Sequence, residues 1–270
     1  MPPSLISSTR TSTENVIPLL RKQEDLVFFQ YPKLLLRQEL SHAIFTRLGG
    51  VSSPPFDTLN TSYSAGDRPE HVKANLLRIQ EGMGADHLVF MNQCHGDKIV
   101  VFREGDFRKP LSIPSADAMI CNVPGIALLV KQADCQSVIL FDPVQRVAAN
   151  VHCGWRGNVL NVLGRVVMRI CQEFGTRASD LLGAIGPSLG PCCAEFITHR
   201  EIFPQTFSRF MVAKNHFDLR ALSVRQLVEA GLREENIELA RICTRCRTNL
   251  FYSYRGEGKT GRFGTAVMLR

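Results

Sequence analysis

Val130–Gly157, VKQADCQSVILFDPVQRVAANVHCGWRG, decides how the rest of the chain is read. Ile126–Val130, which leads into it, and Ser137–Phe141 are apolar, β-branched runs, and Asp142-Pro143 is a turn signal between strand-like segments. Arg146–Val151 reads as a third strand running directly into His152. Cys135 therefore sits where one strand has ended and His152 where another ends. Asp134 stands beside the thiol, and Gly154-Trp155-Arg156-Gly157 follows the imidazole. A thiolate and an imidazole at strand ends can bind zinc or copper, or can pair as nucleophile and base. A buried cysteine and a satisfied core histidine would leave the same letters, since free cysteine is among the most buried residue types.

Working outward, Leu26–Tyr31 and His42–Thr46 predict short strands, the second entering the Gly-rich turn Arg47–Ser52. Pro69–Gly82 predicts a helix, with Pro69 in its first turn and Val72, Leu76 and Ile79 on one face. His87–Phe90 and Lys98–Phe102 read as strands, and the loop between them places His95 at a strand boundary beside Gly96. Asn158–Phe174 carries Val159, Leu163, Val166 and Ile170 at helical spacing and stops at Gly175. A second helix opens on Asp218 as N-cap and runs to Ala230. Leu181–Ile185, Ile237–Ala240, Leu250–Tyr254 and Gly264–Leu269 read as further strands. Helices and strands mix without strict βαβ alternation, which predicts α+β with mixed sheets. Without an internal repeat or linker, residues 25–270 are expected to form one domain. Residues 1–24, rich in Ser and Thr, are expected to be a disordered N-terminal segment.

Composition excludes several classes. No apolar run approaches the ~20 residues that span a bilayer, so no membrane is expected. The net charge of +7 attracts anions, but Lys and Arg are dispersed and not interleaved with aromatics as a nucleic-acid groove requires. Nine cysteines with no signal peptide fit a reducing cytoplasm better than a disulfide framework. Cys192-Cys193 and the lone CxxC of Cys243 and Cys246 lack the second spaced pair of a zinc knuckle, and are read as structural or incidental. Gly258-Lys259-Thr260 lacks the leading Gly of a phosphate loop, for residue 253 is Ser.

His95, Cys135 and His152 form a His/Cys set in which each member lies at a strand end within a Gly-containing loop. Two imidazoles and one thiolate leave a tetrahedral ion one open position, the pattern of catalytic rather than structural zinc. Their spacings of 40 and 17 residues match no recognised signature.

Together the motifs resemble the YfiH-type laccase-domain family, also called multicopper polyphenol oxidoreductases or purine nucleoside phosphorylases. The matching pieces are TRLGGVS at 46–52, PFDTLN at 55–60, GDRPEHVKAN at 66–75, QCHG at 93–96 and ADC at 133–135. They continue with HCGWRG at 152–157, GAIGPSLGPCC at 183–193, FDL at 217–219 and CTRCRTNLFYSYRGEGKTGR at 243–262. Gln132, Cys153 and Gly256 depart from the residues usual in the family. The resemblance implies a four-layer α/β/β/α sandwich and a metal, zinc or copper, held by His95, Cys135 and His152. It also implies phosphorolysis of adenosine, inosine and methylthioadenosine, and deamination of adenosine. Purine nucleosides and phosphate are then the partners, Arg47, Lys131 and Arg156 the candidate phosphate contacts, and Asp134 and Cys135 the candidate catalytic groups.

Seven histidines with no His-x-His exclude the trinuclear cluster of a four-copper laccase. A single copper oxidising phenols remains an alternative expectation. So does a metal-free cysteine amidase acting on a peptidoglycan precursor, with Cys135 as nucleophile and His152 as base.

Overall fold

The computed structural model describes residues 18–108 and 115–270. Two six-stranded sheets lie face to face. The first runs in the order β1 (Leu19–Gln23), β2 (Leu26–Gln30), β3 (Leu40–Phe45), β14 (Phe263–Leu269), β7 (Ile126–Gln132) and β4 (His87–Phe90). The second runs β13 (Ile237–Leu239), β10 (Leu182–Ile185), β8 (Gln136–Asp142), β9 (Val147–Cys153), β6 (Ala118–Cys121) and β5 (Ile99–Phe102). Both are mixed, with β4–β7, β5–β6 and β10–β13 parallel and the other neighbours antiparallel. A small hairpin, β11 (Met211–Ala213) and β12 (His216–Phe217), stands apart.

The period-2 pattern explains the layering. Along β7, Ile126, Leu128 and Val130 enter the core between the sheets, while Ala127 and Leu129 face the other way. Along β8, Ile139 and Phe141 enter the same core and Val138 and Leu140 point outward. Each outward face needs a helical cover. The first sheet is covered by α2 (Pro69–Met83), which buries Val72, Leu76 and Ile79, while the short α1 (Pro32–Leu35) sends Leu34 into the core between the sheets. The second is covered by α4 (Val162–Phe174) and α6 (Leu219–Glu229), which bury Val166, Ile170 and Leu227. The result is the expected four-layer α/β/β/α sandwich. Buried Asn150 of β9 bonds across the inner face, donating to Leu128 O at 2.9 Å and Thr265 O at 2.8 Å. No helix among the described residues is long and apolar enough to cross a membrane.

Three expectations are corrected. The helix over 158–174 is two helices, α3 (Trp155–Val159) and α4, because Asn161 adopts a left-handed backbone between them and its side chain accepts from Gly164 N. Leu250–Tyr254 is not a strand: the amides of Leu250 and Phe251 bond back to Arg247 O, and Ser253 caps α7 (Tyr254–Glu257), which follows α5 (His199–Ile202) and α6. Within the segment expected to be disordered, Leu19–Gln23 pairs with β2, while residues 1–17 lie outside the described residues.

His42 on β3 is a core histidine. Its Nε2 accepts from Tyr31 N at 2.8 Å, and burial, aided by the Arg270 cation, lowers its pKa to about 3. The unfolded chain therefore binds a proton that the folded chain refuses, between about pH 6.5 and 3. Stability is complete above that window and falls within it by about 1.4 kcal/mol per pH unit. Urea unfolding of wild type and His42→Gln at pH 7 and pH 5 should show wild type losing about 2 kcal/mol more than the variant on acidification. Equal losses would remove His42 from the acid response.

Candidate metal centre and cavity

Two of the crossovers between the sheets build the site. The β7–β8 connection, Ala133-Asp134-Cys135, passes from the first sheet to the second, and so does the β4–β5 loop bearing His95. His152 lies one residue before the end of β9, beside the start of β8, where Ser137 is its partner across the ladder. Three positions remote in sequence thus converge at one end of the sandwich. Their ligand atoms lie within 4.8 Å of one another. Cys135 Sγ is 3.9 Å from His95 Nε2, and the two imidazole rings meet edge to face at 4.9 Å. Nitrogen and sulfur on one tetrahedral zinc lie about 3.6 Å apart, from Zn–N and Zn–S bonds of roughly 2.0 and 2.3 Å, so this donor set fits a single ion. Gly154 is required beside it, since a β-carbon there would stand 2.8 Å from Cys135 Sγ.

Asp117, just before β6, holds the set together and was not found from the sequence. Its Oδ1 lies 2.8 Å from His152 Nδ1 and accepts from His95 N at 3.0 Å. Its Oδ2 accepts from Gly96 N at 2.7 Å and Cys94 N at 3.2 Å. The carboxylate thus fixes the backbone at His95, whose φ is +60°, and orients His152 with Nδ1–H as donor and Nε2 facing the site. Burial opposes its charge, but the hydrogen bonds to His152 and Gly96 outweigh burial and hold the carboxyl well below its ordinary range. The only sequence signal for it is a lone carboxylate at the mouth of the apolar run Ala118–Cys121. Gln93 adds a second brace, donating to Lys131 O at 2.7 Å and accepting from Lys131 N at 2.9 Å.

Without a metal, burial disfavours the Cys135 thiolate, yet the charges and hydrogen bonds of His152 and His95 bring its pKa down to about 6. Burial likewise disfavours the His152 cation, and Cys135 and Asp117 raise it to about 9. The pair is a thiolate facing an imidazolium, so a cation binding here displaces a proton.

The set opens into a cavity of about 460 Å³. Lys131, Arg255 and Arg262 line it together with Trp155, Leu189, Phe196, Leu219 and Tyr254, Arg255 lying over the Phe196 ring and Arg262 over the Tyr254 ring. Burial lowers Lys131 to about 8 and also lowers Arg262. The sequence-derived cations divide. Lys131 lines the cavity, whereas Arg156 is exposed on α3 over the Trp155 ring and does not line it. Arg47 is buried elsewhere, donating to Asp57 O, Thr248 O and Glu257 and stacking 4.4 Å from the Tyr252 ring. It ties the 47–58 loop to the segment before α7 and lines a separate cleft. Asp134, in a left-handed backbone, accepts from Thr244 Oγ1 at 2.6 Å, Ser253 Oγ at 2.7 Å and Arg255 N at 2.7 Å. Arg255 and Arg262 went unnamed as phosphate contacts, though both lie in the motif quoted for residues 243–262.

The profile of the multi-copper polyphenol oxidoreductase laccase family matches residues 41–270. A purine nucleoside phosphorylase of Bacteroides thetaiotaomicron is 29% identical over 258 residues, covering 88% of this chain and 95% of that protein. Purine nucleoside phosphorylase YfiH of Shigella flexneri is 33% identical over 232 residues, covering 83% and 91%. The crystal structure of a Bacillus licheniformis hypothetical protein YfiH superposes with a TM-score of 0.82 at 28% identity, covering 93% of this chain and 99% of that one.

Asp117→Asn should weaken zinc binding about 10- to 100-fold, the usual cost of losing the partner of a ligating histidine. Competition against a chromophoric chelator measures it. Unchanged affinity would mean that His152 is not oriented through Asp117.

Proposed function

The chain belongs to the multi-copper polyphenol oxidoreductase laccase family, and from that premise we propose that it is a metal-dependent purine nucleoside phosphorylase that also deaminates adenosine. The observation that carries the reading is one cavity of about 460 Å³ with the His95–Cys135–His152 set, three cations and an aromatic wall. That volume is in the range of small-ligand sites. A purine offers a flat apolar face, for which Trp155, Phe196 and Tyr254 are suitable walls. Phosphate offers two negative charges, for which Lys131, Arg255 and Arg262 are suitable partners.

In phosphorolysis a phosphate oxygen bonds to ribose C1′ as the C1′–N9 bond breaks, and the purine leaves with a proton. The cations hold the phosphate and offset its charge as it approaches the sugar. Lys131 is lowered to about 8 and so can give up a proton near neutral pH. Asp134 supports Arg255 and the wall through its three hydrogen bonds. A zinc ion held by His95, Cys135 and His152 supplies Lewis acidity and lowers the pKa of water, the chemistry that deamination at C6 requires. A four-copper laccase reading has less support, because the donor sets among the described residues are two and neither resembles a trinuclear cluster.

One observation favours a second reading. Cys135, His152 and Asp117 stand in the order of a nucleophile, base and orienting carboxylate, with 2.8 Å between His152 and Asp117. Such a triad would act on an amide without metal. His95 has no role in it, which is why the ligand reading is preferred.

Zinc-loaded protein with inosine and phosphate should release hypoxanthine and ribose 1-phosphate, and with adenosine alone should release ammonia. No phosphate-dependent base release would end the phosphorylase reading. Lys131→Met and Arg262→Met should each raise the phosphate KM about tenfold or more, the worth of a charge-assisted hydrogen bond, and leave ammonia release less affected. Chelation separates the second reading: turnover that survives it, together with rapid alkylation of Cys135, makes Cys135 the nucleophile.

A further inference from the structure

Four of the nine cysteines gather away from the cavity's donor set. Cys192 and Cys193 lie in the turn after β10, Cys243 and Cys246 in the segment after β13. Their sulfurs all lie within 4.8 Å of one another. We propose that Cys192, Cys193, Cys243 and Cys246 form a second metal site, a tetrathiolate centre for one Zn²⁺ that braces a wall of the cavity.

The distances carry the choice of ligand. Cys246 Sγ lies 3.7 Å from Cys192 Sγ and 3.6 Å from Cys193 Sγ. Four thiolates on a tetrahedral zinc, with Zn–S bonds of roughly 2.3 Å, stand about 3.8 Å apart. A disulfide would need a separation of about 2.05 Å, and all nine cysteines are free thiols. Iron–sulfur clusters hold their thiolates on outer corners, too far apart for this arrangement. The spacing is therefore that of ligands around one small, soft-tolerant cation.

The surroundings suit a thiolate centre. Gly190 N donates to Cys243 Sγ at 3.3 Å, the kind of backbone bond that supports a metal thiolate. Gly190 must lack a side chain, since a β-carbon would stand 3.0 Å from Cys243 Cβ and 3.3 Å from Cys192 Sγ. The same point lies 3.2 Å from a guanidinium nitrogen of buried Arg220, whose Nε has no hydrogen-bond partner. That Arg220 Nε lies 3.9 Å from Asp218 Oδ1.

The parallel pair β10–β13 explains how the site assembles. Strands leaving a parallel pair continue on the same side, and the bridge Ser188↔Cys243 extends the pairing past the strand ends. One segment carries Ser188 and Leu189 into the cavity lining, and the other carries Thr244 and Ser253, which hold Asp134. A metal joining the segments fixes that wall without touching a substrate.

The test is zinc content and ligand type in full-length protein purified with zinc under reducing conditions. Wild type should hold two zinc per chain, and Cys192→Ser/Cys246→Ser and His95→Ala one each. Zinc-edge X-ray absorption of His95→Ala should show sulfur ligands only, and this measurement still decides if the double cysteine variant fails to fold. The double variant should melt about 10 °C lower or more. One zinc in wild type with an all-sulfur shell would support this centre and defeat the cavity metal. No zinc in His95→Ala, or nitrogen in its ligand shell, would overturn the proposal.

Discussion

The hydrogen bonds of Asp117 are the constraint on which the candidate site depends. One carboxylate accepts from the amides of Cys94, His95 and Gly96 and bonds His152 Nδ1, so a loop from one crossover and the end of β9 share an anchor. A buried carboxylate is costly unless its lone pairs are filled. Here they are, which is why the group stays ionised despite its burial. Because its folded pKa is depressed, its contribution is present above the ordinary carboxylate range and is lost only as the pH falls through the folded value. The same anchor sets the tautomer of His152, so the geometry of the donor set and the stability of the loop cannot vary independently.

The fold supplies the other half. In a sandwich of two sheets, a chain must cross between layers at the ends of its strands, and crossings are where backbone leaves the ladder and side chains become available. Two crossings on one end, β4–β5 and β7–β8, bring His95 and Cys135 together, and β9 ends beside them. The left-handed residues His95 and Asp134 mark the sharp turns at both crossings. Such backbone conformations are costly for residues other than Gly and persist where surrounding contacts determine them, as the bonds of Asp117 and Asp134 do here.

Much of this was legible from local pattern. The apolar, β-branched runs at 126–130 and 137–141 read as strands, and the strand-end positions of His95, Cys135 and His152 marked them as a set. What local pattern missed required the third dimension or a single backbone exception. Asn161 breaks a sequence with good helical spacing because its side chain caps α4 from a left-handed backbone. Asp117 lies 35 residues from His152 and has no periodic signature. The two cysteine pairs looked unrelated, because the 50-residue gap between Cys193 and Cys243 is closed only by the parallel pairing of β10 with β13. Arg47, by contrast, looked like a site residue because it opens a Gly-rich loop, and its guanidinium proves to be spent on backbone carbonyls and Glu257.

The donor set and the substrate are separable questions, and the family's name joins them. Two imidazoles and a thiolate can serve copper or zinc, and with Asp117 they can also serve as a cysteine nucleophile's machinery, so the set alone does not choose a reaction. The choice lies in the wall. A phenol oxidase needs an electron-transfer route and an apolar slot, and has no use for three cations around the substrate. An amidase built on Cys135, His152 and Asp117 would leave His95 without a role. A purine nucleoside with phosphate needs a flat apolar surface and concentrated positive charge in one cavity, and Trp155, Phe196, Lys131, Arg255 and Arg262 combine them. The phosphorylase reading therefore rests more on the wall than on the metal ligands.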